Sequence, residues 1–118
     1  MKLAFFDDFK LGVVKDETVV DVSGAVSGIE HTSPQDLINR IIENFSQYRE
    51  ALQQAADSGQ GRPVSSVRLR SPLPKPPNII CMAVNYMEDG TRAEPAPINA
   101  FQKSPNAVIG NGDTMILP

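Results

Sequence analysis

The chain has 118 residues, 41% of them hydrophobic and 21% charged, the balance of an ordinary folded protein rather than a disordered tail. Its formal charge of −3, pI near 5.0 and 11 scattered basic residues argue against a surface built to neutralise nucleic-acid phosphates. No stretch reaches the roughly 18 consecutive apolar residues that a membrane-spanning helix needs. Asp7 and Asp8 fall where a signal peptide would carry its apolar core, so the cytoplasm is the default location and a soluble or small-molecule partner is expected.

In chain order, MKLAFF reads as a short strand. LGVV and TVVDV then flank the polar triplet Lys15-Asp16-Glu17, a hairpin pattern, so a small antiparallel sheet is expected over residues 2–22. Ser23, Gly24, Ser27 and Gly28 mark a loop. In TSPQD, Ser33 suits an N-cap, Pro34 the first helical position, and Asp36 completes a capping-box spacing. Leu37, Ile38, Ile41, Ile42, Phe45, Tyr48, Leu52 and Ala55 recur at steps of three and four, which predicts one amphipathic helix over 34–58 ending at Gly59.

SVRLR alternates, with Val67 and Leu69 on one face and Arg68 and Arg70 on the other. SPLPKPPN then sets four prolines in eight residues, an extended connector that can form no regular ladder. The boundary drawn there gives a small amino-terminal domain over 1–70 and the beginning of a second over 71–118. IICMAVN has no alternation, as expected for a strand covered on both faces, and further strands are predicted at NAFQK and TMILP, the latter after a turn at Gly110-Asn111-Gly112-Asp113. So few strands leave open edges, and a larger domain is expected to continue past residue 118.

The chemistry concentrates at the exit of IICMAVN, where Asn85, Tyr86, Glu88, Asp89, Arg92 and Glu94 follow one another. Adjacent carboxylates at a strand end suit a hard divalent cation, or one of them can serve as a base if burial raises its pKa. Lys103 shares a face with Phe101 by the period of two and can neutralise a carboxylate-bearing substrate. Cys81 is the sole cysteine, which excludes an intrachain disulfide, and its apolar setting predicts a buried, inert thiol. His31, the only histidine, sits in a polar loop before the helix cap and leaves no nucleophilic triad within the chain. Gly110-Asn111-Gly112 precedes a strand rather than a helix, which argues against a phosphate loop.

Taken together, SPLPKPPNIICMAVNY and EPAPINAFQKSPNAVIGNGDTMILP resemble the fumarylacetoacetate hydrolase family, with its succession of S-P-x-P-x-P, apolar strand, N-Y, loop, P-x-x-F-x-K-x-P, I-G-x-G-D and I-x-x-P. The match spans about residues 71–118, and the first seventy residues are similar in organisation to the family's variable amino-terminal domain. The resemblance implies an α+β chain in which a small amino-terminal α/β domain precedes the first strands of a mixed β-roll. It also implies a homodimer, a 1,3-dicarbonyl or 2-oxo acid substrate, and Mg²⁺ or Mn²⁺ assisting C–C bond hydrolysis, decarboxylation or keto–enol isomerisation.

By the same resemblance Glu88 matches a metal-ligating aspartate, with the principal ligands, an E-x-E pair and a later Asp, expected beyond Pro118. Tyr86, Arg92 and Lys103 would bind substrate, and Asp89 and Glu94 would be catalytic. The family commonly has x-D-H after N-Y; here Asp89 stands where the histidine base would be, and the loop to Glu94-Pro95 is shorter. An unperturbed carboxyl, with a pKa near 4, is a poor base at neutral pH, which favours metal-assisted enolisation or a lyase variant over hydrolysis. The competing reading is a non-catalytic binding or assembly module whose acidic loop contacts a partner subunit.

Overall fold

The computed structural model describes residues 1–83, 93, 94 and 97–117. It divides into two compact units, residues 1–74 together with 108–118, and residues 75–107.

The first unit is a small α+β body: a five-stranded antiparallel sheet in the order β4-β3-β2-β1-β5, with two helices covering one face. Strands β1 (Lys2–Phe6), β2 (Lys10–Lys15) and β3 (Thr18–Asp21) form the sheet expected over residues 2–22. The β2–β3 turn is tighter than the polar triplet implied, because Lys15 pairs with Thr18 and only Asp16 (φ 48°) and Glu17 make the corner. Between β1 and β2, Asp7 and Phe9 both adopt left-handed backbone, φ 49° and 59°. That conformation is costly for an aromatic residue. It is held by Phe5, edge-on to Phe9 at 6.1 Å, and by the Arg70 guanidinium 5.1 Å from the Phe9 ring centre.

The alternation of the strands explains the core. Phe5, Leu11, Val13, Val20 and Val22 cluster with Val26 and with Leu37, Ile38, Ile41, Leu52 and Ala56 from the helices, all buried. The helix predicted over 34–58 is broken at Asn44 into α1 (Pro34–Glu43) and α2 (Phe45–Ser58). Asn44 leaves helical geometry at φ −120° and caps α1, its backbone N–H and its side-chain amide both donating to the Arg40 carbonyl at 3.2 Å. Of the predicted stripe, Ile42 lies at the edge of the buried face of α1 and is 57% exposed, while Ala56 of α2 joins the core.

The cap is as expected: Ser33 accepts the Asp36 N–H at 3.1 Å, and Asp36 in turn accepts the Thr32 N–H at 3.0 Å and pairs with Arg40. At the other end Gly59 follows α2 in extended, not left-handed, backbone. It is needed for space, since a Cβ there would lie 2.5 Å from Val20 Cγ1 and 2.8 Å from the Ala55 carbonyl oxygen.

Two strands differ from the sequence reading. β4 (Gly61–Pro63) pairs with β3 although its composition signals a loop, and of SVRLR only β5 (Leu69–Arg70) is strand. The prolines at 72–77 form no ladder, as expected. TMILP is not a strand: residues 114–117 are irregular, with Met115, Ile116 and Leu117 69%, 90% and 75% exposed, because none of the described strands pairs with them. The turn before it is present, with Gly112 at φ 80° and the Asp113 N–H on the Gly110 carbonyl. This turn docks on β5, where a Cβ on Gly110 would meet the Leu69 carbonyl oxygen at 2.4 Å.

The second unit is built on a two-stranded antiparallel ribbon of β6 (Ile79–Met82) and β7 (Ala100–Lys103), followed by a single 3-10 turn at Pro105–Ala107. Contrary to expectation, β6 is not covered on both faces. Ile79 and Cys81 are half-buried, whereas Ile80 and Met82 are 67% and 40% exposed, because among the described residues β6 has only β7 beside it and no layer over that face. For the same reason Cys81 is half-buried rather than sealed in a core.

Candidate active site

The ribbon register fixes what the site can be built on. Ile79 faces Lys103, Cys81 faces Phe101 and Met82 faces Ala100, and the Ala83 N–H extends the pairing to the Asn99 carbonyl at 2.8 Å. The segment carrying the acidic cluster is therefore joined at both its ends to one end of this ladder. Loops anchored in this way by hydrogen-bonded strands are the usual carriers of binding and catalytic groups.

Tyr86, Glu88, Asp89 and Arg92, four of the residues singled out from sequence, lie outside the described residues. Glu94 is exposed. Lys103 does share a face with Phe101, its ammonium lying 5.9 Å from the ring centre, a cation–π distance. It occupies the far end of β7 from the loop, three residues beyond Ala100 or about 10 Å at the rise of a strand. Reaching a substrate held by the loop would require the lysine to extend back along the ribbon. Among the described residues, no group of three or more His, Cys, Asp or Glu side chains is arranged to hold a metal ion. His31 is exposed, with Nδ1 2.7 Å from the Ile29 carbonyl oxygen, and takes no part in a site.

Sequence reasoning gave no role to the charges gathered around the Gly110–Asp113 turn. Arg68 donates from Nε to Asp113 at 2.9 Å, and the other Asp113 oxygen accepts the Gly110 N–H at 2.9 Å. Asp7 accepts the Arg68 N–H at 3.1 Å and pairs with Arg62 at 2.9 Å. The Gly110 amide first, then Arg68, holds the Asp113 carboxyl below its ordinary range; for Asp7 the Arg68 amide and then Arg62 act in the same direction. No local signal marks this grouping, since Arg68 and Asp113 are 45 residues apart in the chain.

No family model matches the chain, and no curated protein sequence matches it significantly. Solved structures do. The chain is similar over its whole length, at 30% identity and TM-score 0.82, to maleylpyruvate hydrolase from Sphingobium sp. SYK-6 in complex with manganese (II) ion and pyruvate, of which it spans 42%. The fumarylacetoacetate hydrolase resemblance holds in three dimensions. A second structure of maleylpyruvate hydrolase from the same organism matches 91% of this chain at 30% identity and TM-score 0.73, the chain spanning 39% of it.

Within that fumarylacetoacetate hydrolase framework the I-G-x-G-D motif, Ile109 to Asp113, acquires a physical reading. Its first glycine permits backbone-to-backbone docking on β5, and its aspartate closes the turn and ties it to Arg68. The chain spans less than half of each of these two solved structures. No helix among the described residues is long and apolar enough to cross a membrane.

Proposed function

We propose that the chain is the amino-terminal part of a divalent-metal-dependent enzyme that hydrolyses a C–C bond in a 2-oxo acid of the acylpyruvate kind. The observation that carries this reading is the whole-chain likeness to a maleylpyruvate hydrolase bound to manganese and pyruvate. In it, residues 71–118 open a mixed β-roll that further polypeptide completes. Exposed Ile80 and Met82 offer an apolar face for that polypeptide, or for a second copy in a homodimer.

A bound Mg²⁺ or Mn²⁺ would act as a Lewis acid on the oxo group. Glu88 is the ligand this chain would contribute, and an E-x-E pair and a later Asp beyond residue 118 would supply the rest. Lys103, with Arg92 and Tyr86, would orient the substrate carboxylate. Asp89 and Glu94 would accept and return the proton during bond cleavage.

Asp89 at the position of a histidine base favours a second reading, enolisation or a lyase reaction, because an ordinary carboxylate takes a proton from water weakly. Two observations decide. Finding no E-x-E motif in the gene past codon 118 rejects the metal enzyme and leaves the binding module. If the motif is present, the full gene product is assayed with an acylpyruvate and Mn²⁺. Hydrolysis that is lost in Asp89→Ala and kept in Asp89→His supports the hydrolase, whereas enol–keto exchange without cleavage supports the second reading.

A further inference from the structure

Beside the docked turn, a cavity of about 100 Å³ is lined by Phe9, Arg70, Pro74, Ile109, Gly110 and Asp113 among others. The charges around it do not balance. Arg62 pairs with Asp7 and Arg68 with Asp113, so three guanidiniums face two carboxylates and the surplus charge rests on Arg70. Arg70 is half-buried and makes no ion pair within 4 Å among the described residues, although its charge reaches Asp113 and helps to lower that carboxyl, and it is fixed in place. Its Nε donates to the Asp7 carbonyl at 2.8 Å, and its guanidinium lies over Phe9 at 5.1 Å. An immobilised guanidinium with free Nη donors is pre-organised for a carboxylate, since little side-chain entropy remains to be lost on binding.

We propose that this cavity is a subsite for a small monocarboxylate, held by Arg70. Its volume equals about three water molecules at about 30 Å³ each, enough for a carboxylate and a carbon or two. Phe9, Pro74 and Ile109 offer apolar wall to an alkyl end. Asp113 restricts the ligand to a single negative charge: its oxygens are engaged by Arg68 and the Gly110 N–H, but a dianion would place a second charge against it. The subsite is lined by residues of the first unit.

The probe is acetate, titrated at constant ionic strength against chloride into the labelled chain. The readouts are the Arg70 Nε–H and the Ser71 and Gly110 amide resonances. A saturable response with Kd on the order of 1–10 mM is expected, as a ligand of so few atoms allows. It disappears in Arg70→Gln with the resonances of the Ile41 and Leu52 core unmoved, and weakens about tenfold in Arg70→Lys, which keeps the charge but loses the planar fork. A response no larger than that to chloride overturns the proposal, as does tighter binding of sulfate, or saturation unchanged in Arg70→Gln. If Arg70→Gln does not fold, Arg70→Lys decides: unchanged affinity rejects the subsite.

Discussion

Arg68 grips one oxygen of Asp113 from Nε at 2.9 Å and Nη2 at 2.7 Å, across 45 residues of chain, while the other oxygen closes the Gly110 turn. This is how the segment after the β6–β7 ribbon is secured to β5. Asp113→Asn retains an acceptor for Gly110 but removes the charge Arg68 holds. Hydrogen exchange in residues 108–113 is expected to accelerate while the α1 and α2 amides stay protected. Unchanged exchange at Gly110 and Asp113 would show that backbone docking alone secures the turn.

Gly110 supplies that docking. In Gly110→Ala the added methyl would lie 2.4 Å from the Leu69 carbonyl oxygen and 3.1 Å from Arg70 Cα, both backbone atoms that cannot rotate aside. A loss of about 1–3 kcal/mol in denaturant unfolding is expected, within the range for imposed strain. Gly24→Ala, where a Cβ meets nothing within 4 Å, provides the control.

Within α1 the 100° step from one residue to the next puts two neighbouring isoleucines on different faces. Ile41 is fully buried and Ile42 57% exposed, so Ile41→Ala is expected to cost about 2–5 kcal/mol and Ile42→Ala within about 0.5 kcal/mol. Equal losses in urea midpoints would place both side chains in the core and contradict the face assigned to α1.

Acid sensitivity follows from four aspartates held below their ordinary range: Asp7 and Asp113 by backbone amides and arginines, Asp36 by the Thr32 amide and Arg40, and Asp57 by Lys15 and Gln53. A carboxyl with a lowered folded pKa stabilises the fold above its unfolded value, near 4, and that contribution disappears as pH falls through the folded value. Stability should be level near neutrality and decline below about pH 4. Asp36→Asn should flatten the decline, as followed by urea midpoints at successive pH values.

Under the proposed function, Lys103→Gln in the full gene product is expected to raise KM for an acylpyruvate about tenfold or more with kcat little changed, the signature of lost ground-state carboxylate binding. A fall in kcat at constant KM would move the lysine from binding to chemistry.

Local pattern alone determined much of this protein. The strands over 2–22, the Ser33 cap, the proline connector, the Phe101–Lys103 face and the Gly110–Asp113 turn each depend on residues a few positions apart. What escaped pattern depended on partners distant in sequence or on competition within one turn. Asn44 ends a helix that hydrophobic spacing would continue: its backbone turns to φ −120° while its N–H and side-chain amide both cap the Arg40 carbonyl. Gly61–Pro63 becomes strand only because β3 offers its edge, and TMILP stays irregular among the described residues for want of one. The grouping of Asp7, Arg62, Arg68, Arg70 and Asp113 was decided by tertiary structure alone: ion pairs form wherever folding brings charges within reach, and no spacing along the chain encodes that distance.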